Sequence, residues 1–104
     1  MTSRRDVRVS ASFFEDLDRQ LGSERGPNGE PSTVDFQTIE LLDIVDFVAK
    51  HFDELPPLFE GRDDYRVLVK AGILIRAIEV LAVLAGDGAV ELLSLELDLR
   101  LDWD

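Results

Sequence analysis

The stretch from residue 93 to residue 103 constrains the fold more than any other part of this chain. Leu93, Leu95, Leu97, Leu99, Leu101 and Trp103 alternate there with Ser94, Glu96, Asp98, Arg100 and Asp102. Large apolar side chains at a spacing of two belong to a strand with one dry face and one wet face. A helix, with its period of 3.6, would scatter the same six side chains around its whole circumference. The chain is therefore expected to end in a strand, and the dry face of that strand must be covered by a second layer.

The preceding segments supply candidates for that layer. Val7, Val9 and Ala11 alternate with Arg8, Ser10 and Ser12, which predicts a short opening strand. Ser12 and Glu15 have the spacing of a capping box, and Phe13, Phe14, Leu17 and Leu21 then share one helical side, with Gly22 as a left-handed stop. Residues 22–32 hold Gly26, Pro27, Asn28, Gly29 and Pro31 and are expected to form a surface loop. Ser32 or Thr33 caps a longer helix to about Phe52, with Asp35 in its first turn. Its buried stripe is expected to be Leu41, Leu42, Val45, Val48, Ala49 and Phe52, widened by Ile39 and Ile44. Pro56 and Pro57 end it, and residues 58–64 read as a connector.

From Tyr65 the period becomes two. Tyr65, Val67 and Val69 alternate with Arg66, Leu68 and Lys70, Ala71-Gly72 can turn, an apolar run spans 73–85, and Asp87-Gly88 is a strong hairpin signal. If both connections are two-residue turns, Tyr65, Val67 and Val69 share a face with Leu74, Ile78, Val80 and Ala82, and with Leu93, Leu95, Leu97, Leu99 and Leu101. Arg76 then sits awkwardly on the apolar face, which a bulge between Arg76 and Glu79 would relieve. A helix over 73–84 would also relieve it, whereas the β-branched Ile73, Ile75, Ile78, Val80 and Val83 favour a strand. The expected fold is α+β: two helices packed on one face of an antiparallel sheet, in the order β-α-α-β-β-β, as a single domain over 1–104 with a meander at about 65–101.

Chemistry-bearing residues are scarce. Cysteine is absent, which excludes thiolate metal sites and a catalytic cysteine and fits a reducing, cytoplasmic compartment. The lone histidine, His51, stands at a helix C-terminus, where the dipole favours it. No phosphate-binding glycine loop, dinucleotide fingerprint or nucleophile elbow is present, so neither cofactor nor metal is expected. The start carries arginines without an apolar run, and no stretch is long enough to cross a bilayer. The net charge is −11, and residues 33–64 hold nine acidic side chains against two basic ones. Such a field repels phosphate backbones and anionic membranes and attracts basic protein surfaces.

The element order, the Phe13-x-x-x-Leu17 spacing and the run Tyr65-Arg66-Val67-Leu68-Val69 together resemble the RelE/ParE superfamily of small bacterial toxins. The resemblance implies a ribosome-dependent ribonuclease or a gyrase inhibitor, silenced by an antitoxin. Ribonuclease members use a basic sheet face and a basic or aromatic residue near the chain end. Here the wet face is expected to mix Arg66, Lys70 and Arg100 with Glu79, Glu96 and Asp98, and Trp103 lies between Asp102 and Asp104. Arg66 and Arg100 are the only catalytic candidates, and the surrounding acids oppose the charge that develops on a cleaved phosphate. The favoured expectation is a non-catalytic protein-protein interaction module on a toxin-like scaffold, part of a toxin-antitoxin type pair. Asp43, Asp46, Glu54, Asp63 and Asp64 would meet a basic partner, and self-association through a sheet edge is the other route.

Overall fold

The computed structural model describes residues 4–27, 29–73 and 75–98. Strand β1 (Val7–Val9) leads into helix α1 (Ala11–Gln20). A second helical run follows: α2 (Thr33–Asp35), a π-helical turn (Phe36–Glu40), α3 (Leu41–His51) and a 3-10 turn (Phe52–Glu54). Strands β2 (Pro57–Phe59), β3 (Arg62–Lys70), β4 (Ala77–Leu84) and β5 (Val90–Asp98) complete the chain. They form one sheet in the order β1-β5-β4-β3-β2, antiparallel except for the β1–β5 pair. This is the α+β architecture expected, with residues 77–84 a strand and not a helix. Residues 58–64, read as a connector, instead form β2 and the start of β3.

Both helical runs cover one face of the sheet. Phe13, Leu17 and Leu21 of the first run and Phe36, Ile44, Val48 and Phe52 of the second are buried against Leu68, Ile78, Val80, Ala82, Val90, Leu92 and Leu95. Ile39 and Leu42 do not join this stripe and are exposed. In the π turn the Leu41 N–H bonds to the Phe36 carbonyl, five residues back, and Glu40 becomes a core position.

The sheet faces differ from the two-residue-turn reading in two places. On β3, Arg66 pairs with Ala82, Leu68 with Val80 and Lys70 with Ile78, so these three share the helix side, whereas Tyr65, Val67 and Val69 face away. The parity inverts because β3 ends at Lys70 and β4 begins only at Ala77, too long a link for a two-residue turn. On β5, Leu81 faces Ser94 but Ala82 faces Leu92, leaving Leu93 as the extra residue of a bulge. Leu92 and Leu95 are therefore both buried, and Leu93 leaves the dry face on which the strict alternation had placed it. Leu74, Leu99, Arg100, Leu101 and Trp103 lie outside the described residues. The bulge thus falls on β5 and not between Arg76 and Glu79. Arg76 is exposed, 3.9 Å from Asp98, and does not enter the core.

The β4–β5 link also differs from a type I′ turn. Gly88 N–H bonds to the Ala85 carbonyl and Ala85 N–H to the Ala89 carbonyl, while Gly88 takes φ +90°, which is the three-residue hairpin with a left-handed glycine. Helix α1 is capped by Ser10, whose Oγ accepts from the Phe13 N–H, rather than by Ser12. Ser12 is diverted: its Oγ donates to the Leu93 carbonyl. The helix closes at Leu21 in extended backbone, and no left-handed glycine is used.

A polar ladder along α1 takes the place of a strand beside β5. Beyond Leu92, β1 no longer pairs, and Ser12, Asp16 and Gln20 cover the exposed edge. Asp16 accepts from the Leu95 N–H (3.0 Å), and Gln20 donates to the Leu95 carbonyl and accepts from the Leu97 N–H (both 2.7 Å). The bond from Leu95, helped by Arg19, holds the Asp16 carboxyl below its usual range. Residues spaced by four on a helix present one face, so three side chains suffice to satisfy a strand edge.

The second helical run begins with a reciprocal capping box. Asp35 N–H bonds to Ser32 Oγ, and the Asp35 carboxylate accepts from the Ser32 N–H (3.0 Å) and from Arg25. Arg25 first, and the Ser32 backbone second, lower the Asp35 pKa to about 2. A carboxyl whose folded value lies below its unfolded value near 3.9 stabilises the fold above that unfolded value. Its contribution is lost as pH falls from about 4 to about 2. Asp35→Asn should therefore flatten the acid limb of a Tm-against-pH curve in that window, and an unchanged limb would show that the box is not formed in solution.

Candidate functional site

The face of the sheet turned away from the helices is the candidate site. Tyr65, Val67 and Val69 of β3 lie on it beside Leu81 and Val83 of β4, and Val69 is 66% exposed. Leu58 on β2 adds a further apolar side chain, 45% exposed. Wet strand faces normally carry polar residues, so a run of valines and leucines there is an informative departure. Two adjoining hollows mark the surface. The larger, about 350 Å³, is lined by Val69, Ala77, Ile78, Glu79, Glu96, Leu97 and Asp98. The smaller, about 150 Å³, lies among Leu58, Val67, Glu79, Leu81, Ser94 and Glu96.

Glu79 and Glu96 belong to both hollows and are direct cross-strand partners. Like charges placed opposite each other destabilise a sheet, so this pair is locally unfavourable. Arg19 approaches Glu96 at 3.5 Å. Among the described residues no cation pairs with Glu79. Asp98 lies on the same face, opposite Ala77, with Arg76 3.9 Å away. The open face is thus acidic where β4 meets β5 and apolar along β3 and β2, with the Arg8–Glu91 pair on its β1 side and Arg62 over the Tyr65 ring.

The basic groups expected on this face are on the other one. Arg66 is turned inward and its side chain is 14% exposed. It donates from Nε to the Asp63 carbonyl (2.8 Å) and from Nη1 to the carbonyls of Leu55 (2.7 Å) and Asp53 (3.2 Å), and it lies over the Phe52 ring. Lys70 is paired with Asp43. A guanidinium committed to three backbone oxygens is not positioned to stabilise a phosphate, so Arg66 is a structural clamp joining the 3-10 turn to β3. Arg100, the other catalytic candidate, lies outside the described residues.

The acids expected to receive a partner are spread over three elements, each with an internal basic side chain nearby. Asp43 and Asp46 are on α3, the latter bonded to Arg4 (2.7 Å) and Lys50 (3.1 Å), which hold its carboxyl below the usual range. Glu54 meets His51. Asp64 is bound by Arg62, which lowers its pKa, and Asp63 is 4.0 Å from Arg66 with its side chain 89% exposed. Glu79 and Glu96 lie on the wet face, where the alternation of the sequence places them, and the register of β4 and β5 sets them directly opposite each other.

Glu40 is the other residue whose role depends on the fold. It is fully buried, and its Oε1 accepts from the Ile73 N–H (2.9 Å) in the link between β3 and β4. Among the described residues no group of His, Asp and Glu is arranged to hold a metal ion, and no helix is long and apolar enough to cross a membrane. Comparison with protein-family models, with curated proteins and with solved structures finds no match to this chain.

Proposed function

We propose that the chain is a non-catalytic protein-binding module, on a scaffold similar to that of RelE/ParE toxins, which engages its partner through the open sheet face. The observation that carries this reading is the apolar run of exposed Val69 and Leu58 with half-buried Val67 and Leu81 on a strand face that has no covering layer among the described residues. Contiguous apolar surface of this kind marks an interaction site. The toxin likeness contributes the expectation of a partner encoded in an adjacent gene and of a cytoplasmic setting. Toxin-type RNA cleavage is the weaker reading, because the open face offers carboxylates where a cleaved phosphate needs cations.

The test is co-elution. The tagged chain is expressed together with its flanking genes and the complex is sized in solution. Leu81→Asp should abolish the complex while leaving the circular dichroism spectrum unchanged, whereas Leu42→Asp, on the exposed side of the helical layer, should leave binding intact. Retention of the complex by Leu81→Asp would overturn the assignment of the surface. RNA cleavage during translation by the purified chain would overturn the non-catalytic reading.

A further inference from the structure

The acids on the open face specify what covers it. We infer that the occupant is a basic amphipathic helix of a partner protein, with leucine-like side chains over Val67, Leu81 and Leu58 and a lysine or arginine over Glu79 and Glu96; this rests on the reading above. An uncovered apolar sheet face is completed by a helix or a second sheet, and the opposite face of this sheet already takes helices. The smaller hollow, with Leu58, Val67 and Leu81 in its lining, accepts an apolar side chain. The larger one brings Glu79, Glu96 and Asp98 around Val69 and Ala77, which suits a cation carried on an aliphatic stem. The two hollows share Glu79 and Glu96, so one helix face can fill both.

Charge complementarity also selects against other occupants. A second copy of this chain, docked face to face, would bring two Glu79–Glu96 pairs together, and like-charge juxtaposition across an interface is strongly unfavourable. A purely apolar helix would bury Glu79 with no cation. A basic helix converts the unfavourable cross-strand pair into a favourable contact, so the free chain holds a repulsion that binding relieves. One signature follows. Glu79→Lys places a cation opposite Glu96 and should leave thermal stability equal or higher, while weakening partner binding by tenfold or more. A residue that served only folding would not behave this way, since its loss lowers stability.

The experiment places the photoreactive amino acid p-benzoylphenylalanine at position 81, and separately at position 42, in the chain expressed with its flanking genes. The adduct is sequenced by mass spectrometry. The expected result is an adduct at 81 to a partner segment with apolar residues three and four apart and a lysine or arginine among them. Reversing that cation to glutamate should restore binding to Glu79→Lys. A captured segment that lacks a basic residue, or that belongs to a second copy of this chain, overturns the inference and leaves the docking face standing. An adduct at 42 and none at 81 overturns the face as well, and no partner adduct at either position overturns the interaction reading altogether.

Discussion

Glu40→Ala should lower stability by about 3 kcal/mol, from the loss of a part-buried hydrogen bond and the cavity left in the core. For a domain of this size that is a fall in Tm on the order of 15 °C. The carboxylate sits inside the core at the end of the π turn, and its removal leaves the Ile73 N–H without that acceptor. The same contact explains Gly72. A Cβ at that position would lie 2.6 Å from Glu40 Oε2 and 2.8 Å from the Ile75 carbonyl, so the link between β3 and β4 is shaped around the carboxylate. Glu40→Gln keeps the acceptor and should recover most of the loss. Urea denaturation of the three proteins is the measurement, and an alanine variant within 0.5 kcal/mol of the parent, about the scatter of surface substitutions, would show that the contact does not hold the link.

Arg66→Ala should cost a similar amount, again about 3 kcal/mol, since charged donors to carbonyls are worth more than neutral ones. Three carbonyls of the segment 53–63 lose this donor together, and the Phe52 ring keeps only Arg5 of its two cations. Arg66→Lys should restore little, because an ammonium lacks the planar fork that reaches oxygens on two separate segments. The decisive contrast is with binding. After correction for the folded fraction, Arg66→Ala should bind the partner as the parent does, whereas Glu79→Lys should fold as well as the parent and bind poorly. Equal stability of Arg66→Ala and the parent would return this arginine to the list of groups available for a ligand.

The parts of the fold that were legible in the sequence are those set by local periodicity. The opening strand, both helical runs, a cap at Ser32 or Thr33 with Asp35 in the first turn, and the three long strands follow from patterns of a few residues. Face assignment is not local. It depends on the length of the link after Lys70 and on the extra residue Leu93, and either one alone reverses which side chains meet the helices. That reversal puts Arg66 and Lys70 on the helix side and Val67 and Val69 on the open one, opposite to the faces that strict alternation with two-residue turns predicts. Glu40 was unreadable for a different reason. A glutamate in an amphipathic helix looks solvated unless the helix widens by one residue, and the widening is a tertiary effect. The missed ladder of Ser12, Asp16 and Gln20 has a recognisable signal, polar residues four apart on a helix, but nothing in the pattern says that a strand edge awaits them.

That ladder has a consequence for the chain's behaviour as a material. The segment it covers, Leu92 to Leu97, is rich in leucine and presents unpaired backbone groups when α1 detaches, which is the combination that templates intermolecular sheets. Helix α1 is thus a guard against fibre growth as well as a core element. Its hold weakens in acid, where Asp16 takes up a proton and can no longer accept from Leu95 as a carboxylate. Partial unfolding at low pH should consequently lead this protein toward ordered aggregates and not merely toward a loosened monomer, a route that dye binding and light scattering would follow directly.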